Sequence, residues 1–248
     1  MEQQNKGPTI LGVMWATTST ALVFVVARVY TRGKILKKMG LDDYLIGLSM
    51  ILGLIFVGLT TSAVRYGNGR HSETLTRDQF EKAAMLNTAG FAPGILSFTV
   101  PKLGVVALLI RLFNPSRPRK IFLWSFVGGS CMIISGCIVI IYAQCSPTRA
   151  LWTVNLNSAR CWSPWILVNY SLFAGALSAF LDLFLAVYPG VIMWKLQIAQ
   201  RKKIGLITAF SLGACAAVVA VYKCTRIPGL ADESDSTYST ADLVIWTK

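Results

Sequence analysis

Long apolar blocks alternate with short polar stretches along the chain. The blocks cover about residues 9–29, 44–64, 83–113, 121–143, 165–194 and 204–221. A helix needs about 20 apolar residues to cross roughly 30 Å of hydrocarbon, so each block predicts a membrane span. A Ser/Thr-rich acidic stretch, 227–240, leads into a last apolar run at 241–246. That run is too short to cross and predicts the start of a seventh span. The fold class expected is all-α: a polytopic transmembrane helix bundle, six full spans plus the start of a seventh. It forms a single integral membrane domain over residues 1–248. The polar N-terminus lacks a basic region, and the apolar run behind it is long enough to span, so a first span is expected there and not a cleaved signal.

Composition agrees. The chain is 54% hydrophobic and 14% charged, whereas a soluble domain carries roughly 25% charge. The net charge of +13 sits in the loops between spans, where anionic lipid attracts it, and no basic run interleaves with aromatics. Membrane lipid is therefore the expected partner, and nucleic acid is not. Thirteen Lys and Arg lie in or beside the loops after spans one, three and five, and nine on the other side among eight acids. The positive-inside rule puts the first set in the cytosol and the N-terminus outside. Trp15, Trp162, Trp165 and Trp246 then fall near outer span ends, Trp124 and Trp194 near inner ones, as an interfacial belt would require.

Two ionisable residues lie deep in spans. Lys102 precedes Arg111 by nine residues and Asp182 precedes Lys195 by thirteen, which places them about 14 and 20 Å from the inner surface at 1.5 Å per residue. One reading is an ion pair, at the base of a ligand cavity or as a switch between two bundle states. The other has Lys102 snorkelling to the inner interface and Asp182 capping a carbonyl freed by a proline. Asp42 and Asp43 open span two, where negative charge meets the positive end of the helix dipole, and Gly40 breaks the continuation of the first helix. Cys145 and Cys161 share the outer loop after span four; a disulfide is favoured over two free thiols on the oxidising side. Cys131, Cys137, Cys215 and Cys224 lie in or at the edge of spans as small hydrophobes. His71, the single histidine, belongs to a surface turn shaped by Gly67 and Gly69. No CxxC pair, second histidine, nucleophile–base pair or phosphate loop is visible, so neither a metal centre nor catalysis is expected.

Taken together, certain motifs resemble the fungal rhodopsin-domain integral membrane proteins, a seven-helix, receptor-like group. They are Arg28-x-Tyr30-x-Arg32, Asp42-Asp43-Tyr44, Gly67-x-Gly69-x-His71, and Lys102 through Arg111 to Phe113. The later ones are Gln144-Cys145-x-Pro147 with Trp152 and Cys161, Asp182 with Pro189, Lys203-Ile204-Gly205-Leu206, Phe210-x-Leu212-Gly213 and Arg226. The resemblance covers nearly the whole chain and implies a rhodopsin-like helix arrangement. Departures are Gly104, where the family usually has Ser, and the seventh helix, which in the family bears a Glu and continues past Trp246. Retinal does not follow from it, because no seventh-helix lysine is present to form a Schiff base; no cofactor is expected.

The function expected is a receptor-like multi-pass protein of the plasma membrane, sensing a signal through a ligand and a cytosolic effector that no motif names. Arg111-Leu112-Phe113 has no acid before the Arg, so no DRY-like motif supports coupling to a G protein. The alternatives are a membrane accessory protein or enzyme handling a lipophilic metabolite, or a truncated member without activity of its own.

Overall fold

A computed structural model describes residues 7–37, 39–69, 75–153 and 160–194. Among these are five helices long and apolar enough to cross a membrane. They are α1 (Gly7–Tyr30), α2 (Leu41–Arg65), α3 (Arg77–Phe113), α4 (Arg117–Ala143) and α5 (Pro164–Trp194). The expected sixth span and the start of a seventh fall at residues 204–246, outside the described residues, as do His71 and Arg226.

Helix boundaries follow local chemistry. The chain leaves α1 through one wide π-type turn, Thr31–Ile35. Gly40 does not end that helix; it is the extended residue before α2, and its N–H donates to the Asp43 carboxylate at 3.1 Å. α3 begins at Arg77, six residues before the apolar block, because polar pairs carry its first turns. Gln79 accepts the Thr76 N–H at 3.2 Å, and the Arg77–Glu81 and Asp78–Lys82 pairs are spaced one turn apart. It ends where Asn114 turns left-handed at φ 39°. At 37 residues it is about 55 Å long, well beyond the hydrocarbon thickness.

α3 is the axis of the bundle, packing on α2, α4 and α5, while α1 packs on α2. Gly90 and Gly94 stand one turn apart on α3, directly against the Phe56 ring; a Cβ added at Gly94 would meet that ring at 3.1 Å. Small residues at this spacing let two helix backbones approach closely in a membrane. The main core lies between α3, α4 and α5, around Val106, Leu109, Leu123, Val127, Ile134 and Leu181. A smaller cluster of Ile10, Met14, Phe56 and Val57 joins α1 to α2. Large apolar side chains such as Phe24, Met132, Val139 and Phe173 face outward, as suits a surface solvated by lipid and not by water. The hydroxyls of Thr60, Thr99 and Ser130 donate to the carbonyl one turn back in their own helices, which satisfies them without water.

At one end of the bundle, Cys145–Ser146 and Arg160–Cys161 form a two-stranded antiparallel ladder. Cys145 and Cys161 face each other in it and are disulfide-bonded. The opposite end gathers the first residues of α2 and α4 and the last of α1 and α3. We call these the disulfide end and the basic end.

Candidate functional site

Two sets of charges hold the helices together, and both use α3. The first lies within the apolar length of the bundle. Lys102 Nζ approaches Asp182 Oδ1 to 2.5 Å, with Ser178 Oγ at 3.0 Å and the Ser178 carbonyl at 3.1 Å. Ser178 and Asp182 are one turn apart on α5, so both present oxygens to the same point. An ammonium group has three protons, and three acceptors face it here. The Lys102 side chain is 7% exposed and that of Asp182 26%, so the site is open on the α5 side. Lys102 turns sideways to α5 instead of reaching along the bundle to an interface. Pro189, buried two turns further along α5, leaves the Leu185 carbonyl without its helical donor. Beside the pair, the buried Cys131 thiol of α4 lies 3.7 Å from the Thr99 carbonyl of α3.

The second set lies at the basic end. Asp42 and Asp43 are 1% and 2% exposed at the start of α2. Arg28 of α1 reaches both, donating from Nη2 to Asp42 at 2.8 Å and from Nε to Asp43 at 3.0 Å. Arg32 donates from Nη1 to Asp42 at 2.8 Å and to Asp43 at 3.4 Å. Arg111 of α3 completes the group, its Nη1 3.2 Å from Asp42 and 4.0 Å from Asp43. Three guanidinium groups, from α1, the π-type turn that follows it and α3, thus enclose two carboxylates of α2. A buried carboxylate pair is costly unless charged donors surround it, and here they do.

Sequence reasoning placed Asp42 and Asp43 at the positive end of the α2 dipole and Arg28 and Arg32 among the loop cations; it did not join them. A signal was available. Arg28 and Arg32 are spaced four apart and share one helix face, and the nearest acids are the Asp pair. Ser178 was also missed, because a serine in an apolar run carries no signal of its own. Gly67 and Gly69 adopt φ of 108° and 93° in the turn after α2, a region that favours glycine. A Cβ at Gly69 would meet the Gly7 nitrogen at 3.0 Å, so this turn seats against the start of α1. Trp152 lies half-buried at the end of a short 3₁₀ turn, Thr148–Leu151, beside the disulfide. The structure therefore joins Lys102 with Asp182, Arg111 with Asp42 and Asp43, and Cys145 with Cys161. It leaves Gly67, Gly69, Trp152 and Pro189 apart from both charged sets.

The family sequence profile described as "Fungal rhodopsin domain" matches residues 27–248. "Fugralins biosynthesis cluster protein 2" of Gibberella zeae is 28% identical over 162 residues, which is 60% of this chain and 38% of that protein. A "SAT4 family membrane protein" of Emericella nidulans is 28% identical over 165 residues, 62% of this chain and 40% of that protein. The match spans about two fifths of the length of either relative. No solved structure matches the chain. Motifs running from Arg28 to Arg226, apolar helices long enough to span, and a profile that covers all but the first 26 residues converge on one conclusion: the chain belongs to the fungal rhodopsin-domain family of multi-pass membrane proteins.

Proposed function

We propose that this membrane protein is receptor-like, lies in the plasma membrane with its basic end in the cytosol, and senses a signal that shifts α3. The observation that carries this reading is that α3 contributes one member to each charged set. Lys102 and Arg111 are nine residues apart, about 14 Å along one helix. A movement of α3 that loosens the Lys102–Asp182 pair also strains the contacts of Arg111 with Asp42 and Asp43. Packed helices linked by such pairs have discrete arrangements, which is what a switch requires. A signal acts on the switch only by binding one arrangement better than the other.

The test is a distance. Spin labels at Leu112 of α3 and Val191 of α5, both exposed, report the separation of those helices in lipid nanodiscs. Lys102→Met should shift the distance distribution or its populations. A single distribution, unmoved by Lys102→Met, Asp182→Leu or Arg111→Ala in folded protein, refutes a switch. Orientation is tested separately by labelling Lys37→Cys in intact cells; efficient labelling from outside would invert the topology.

A second reading has one observation in its favour. The Gibberella zeae relative is named for a biosynthesis cluster, which suits a membrane accessory protein handling a lipophilic metabolite. That reading predicts that deletion of the gene changes a metabolite's yield or export while the cell's response to external signals stays intact.

A further inference from the structure

A cavity of about 240 Å³ lies between α1, α2 and α3, and no residue of either charged set lines it. Its lining includes Thr17, Thr18, Ala21, Ser49, Ser97 and Pro101, and no charged side chain. Three of its hydroxyls are already committed as donors. Thr17 donates to the Val13 carbonyl at 2.8 Å, Ser49 to that of Ile46 at 2.8 Å, and Ser97 to that of Gly94 at 2.7 Å. Thr18 is different. It is 3% exposed, and its hydroxyl has no hydrogen-bond partner among the described residues. The carbonyl one turn back, that of Met14, lies 3.2 Å from the Thr17 hydroxyl, as the longer arm of the bond that Thr17 gives to Val13. Pro101 has no N–H, so the Ser97 carbonyl also loses its helical donor. The cavity wall thus offers one free O–H donor, several acceptor oxygens and an otherwise apolar surface.

A buried hydroxyl without a partner is costly and asks for one. We propose that the cavity is a binding site for a small uncharged lipophile bearing an alcohol group. The alcohol oxygen accepts from Thr18, and its proton goes to an acceptor oxygen on the opposite wall. A single charge on the ligand would find no counter-charge, which excludes ions and zwitterions. Volume sets the size. A dry cavity of roughly 150 Å³ takes up benzene, so this one suits a molecule of about ten heavy atoms. Its volume is several times the roughly 30 Å³ of one water, and most of its wall is apolar. Thr17 and Ala21 on the α1 rim are exposed, so the ligand enters from the lipid side. Pro101 sits next to Lys102 in α3, so an occupant of the cavity touches the same turn of helix as the buried ion pair. This site stands whether or not the protein signals.

The experiment uses the full chain in lipid nanodiscs and two photoreactive probes, a decanol with a diazirine in its alkyl chain and the matching methyl ether. After irradiation, labelled positions are mapped by mass spectrometry. The alcohol probe should label the cavity segments of α1 and α3, and unlabelled decanol should compete. Thr18→Val keeps the shape and removes the donor; it should lower cavity labelling by both probes about fivefold, the effect of one hydrogen bond, since both oxygens accept from Thr18. In the parent protein the alcohol should outlabel the ether, because only the alcohol donates to the opposite wall. It should not lower thermal stability without ligand, because it removes an unsatisfied group. Ala21→Phe, at the exposed rim, should block both probes in a folded protein. Cavity labelling that ignores both substitutions would overturn the proposal. So would labelling spread evenly over lipid-facing positions such as Val23 and Phe24, or a cavity that no probe reaches because water or another part of the chain fills it.

Discussion

The two charged sets are built on opposite plans. Lys102 and Asp182 meet one to one in the apolar part of the bundle, with Ser178 alone among the described residues to share the ammonium. Asp42 and Asp43 sit at a helix start, and three arginines and one backbone N–H serve them. The first set is balanced and has no reserve. The second has a surplus cation and several bonds to each carboxylate, and solvent reaches the outer faces of its arginines. Loss of one member should therefore be felt very differently in the two places. Deep in a membrane, an orphaned charge has little water and, among the described residues, no second counter-charge. At the helix ends, the remaining donors stay in place.

The largest effect is expected in the deep pair. Lys102→Met leaves Asp182 unpaired, and Asp182→Leu leaves Lys102 unpaired; each should cost about 3–5 kcal/mol. The double variant should cost much less, because no stranded charge remains. Thermal unfolding in lipid or detergent measures the cycle. Additive losses would mean that the two side chains do not act on one another.

Much of the fold was legible in the hydrophobic pattern. The five spans it predicts within the described residues all appear as helices, because a block of some 20 apolar residues has few alternatives in lipid. Boundaries were less legible. The pattern sees apolar residues only, so it cut six residues from the start of α3, where Gln79 and two ion pairs extend the helix. The candidate pair Lys102 and Asp182 stood out because a charge in an apolar run is conspicuous. The basic-end set did not, since arginines near a span end already have an explanation in the positive-inside rule. That explanation hid their role as partners of Asp42 and Asp43. The Thr18 cavity was invisible, because which hydroxyl is left over depends on how three helices meet.

A covalent tie gives a reference for these electrostatic ones. The Cys145–Cys161 disulfide closes a loop with a sequence separation of 16, for which loop entropy suggests about 3 kcal/mol. Cys145→Ser with Cys161→Ser should lower stability by that order. The loss should be insensitive to salt, whereas losses at the partly exposed arginines should shrink as salt rises. Mass spectrometry of non-reduced peptides with both thiols free would remove this reference altogether.

The redundancy of the basic end makes a graded forecast. Arg28→Ala removes separate bonds to both carboxylates and should cost about 2 kcal/mol, the range for hydrogen bonds to charged groups. Arg32→Ala should cost about 1 kcal/mol, because Arg28 and Arg111 still hold Asp42. Losses as large as that of Lys102→Met would mean that the set has no reserve, and the contrast between the two plans would fail.

The smallest effect distinguishes a fork from a point charge. Arg28 uses two different nitrogens, Nη2 on Asp42 and Nε on Asp43, so its planar guanidinium bridges the pair. Arg32 meets both carboxylates through Nη1 alone. A lysine ammonium is one compact centre on a flexible stem and reproduces the second arrangement, but not the first. Arg32→Lys should therefore stay within about 0.5 kcal/mol of the parent, while Arg28→Lys should lose about 1 kcal/mol. Melting curves at low and high salt would read both. If the two substitutions cost the same, only the charge at the basic end matters. If Arg32→Lys costs more, the contacts of the π-type turn hold α1 to α2 more tightly than those of Arg28.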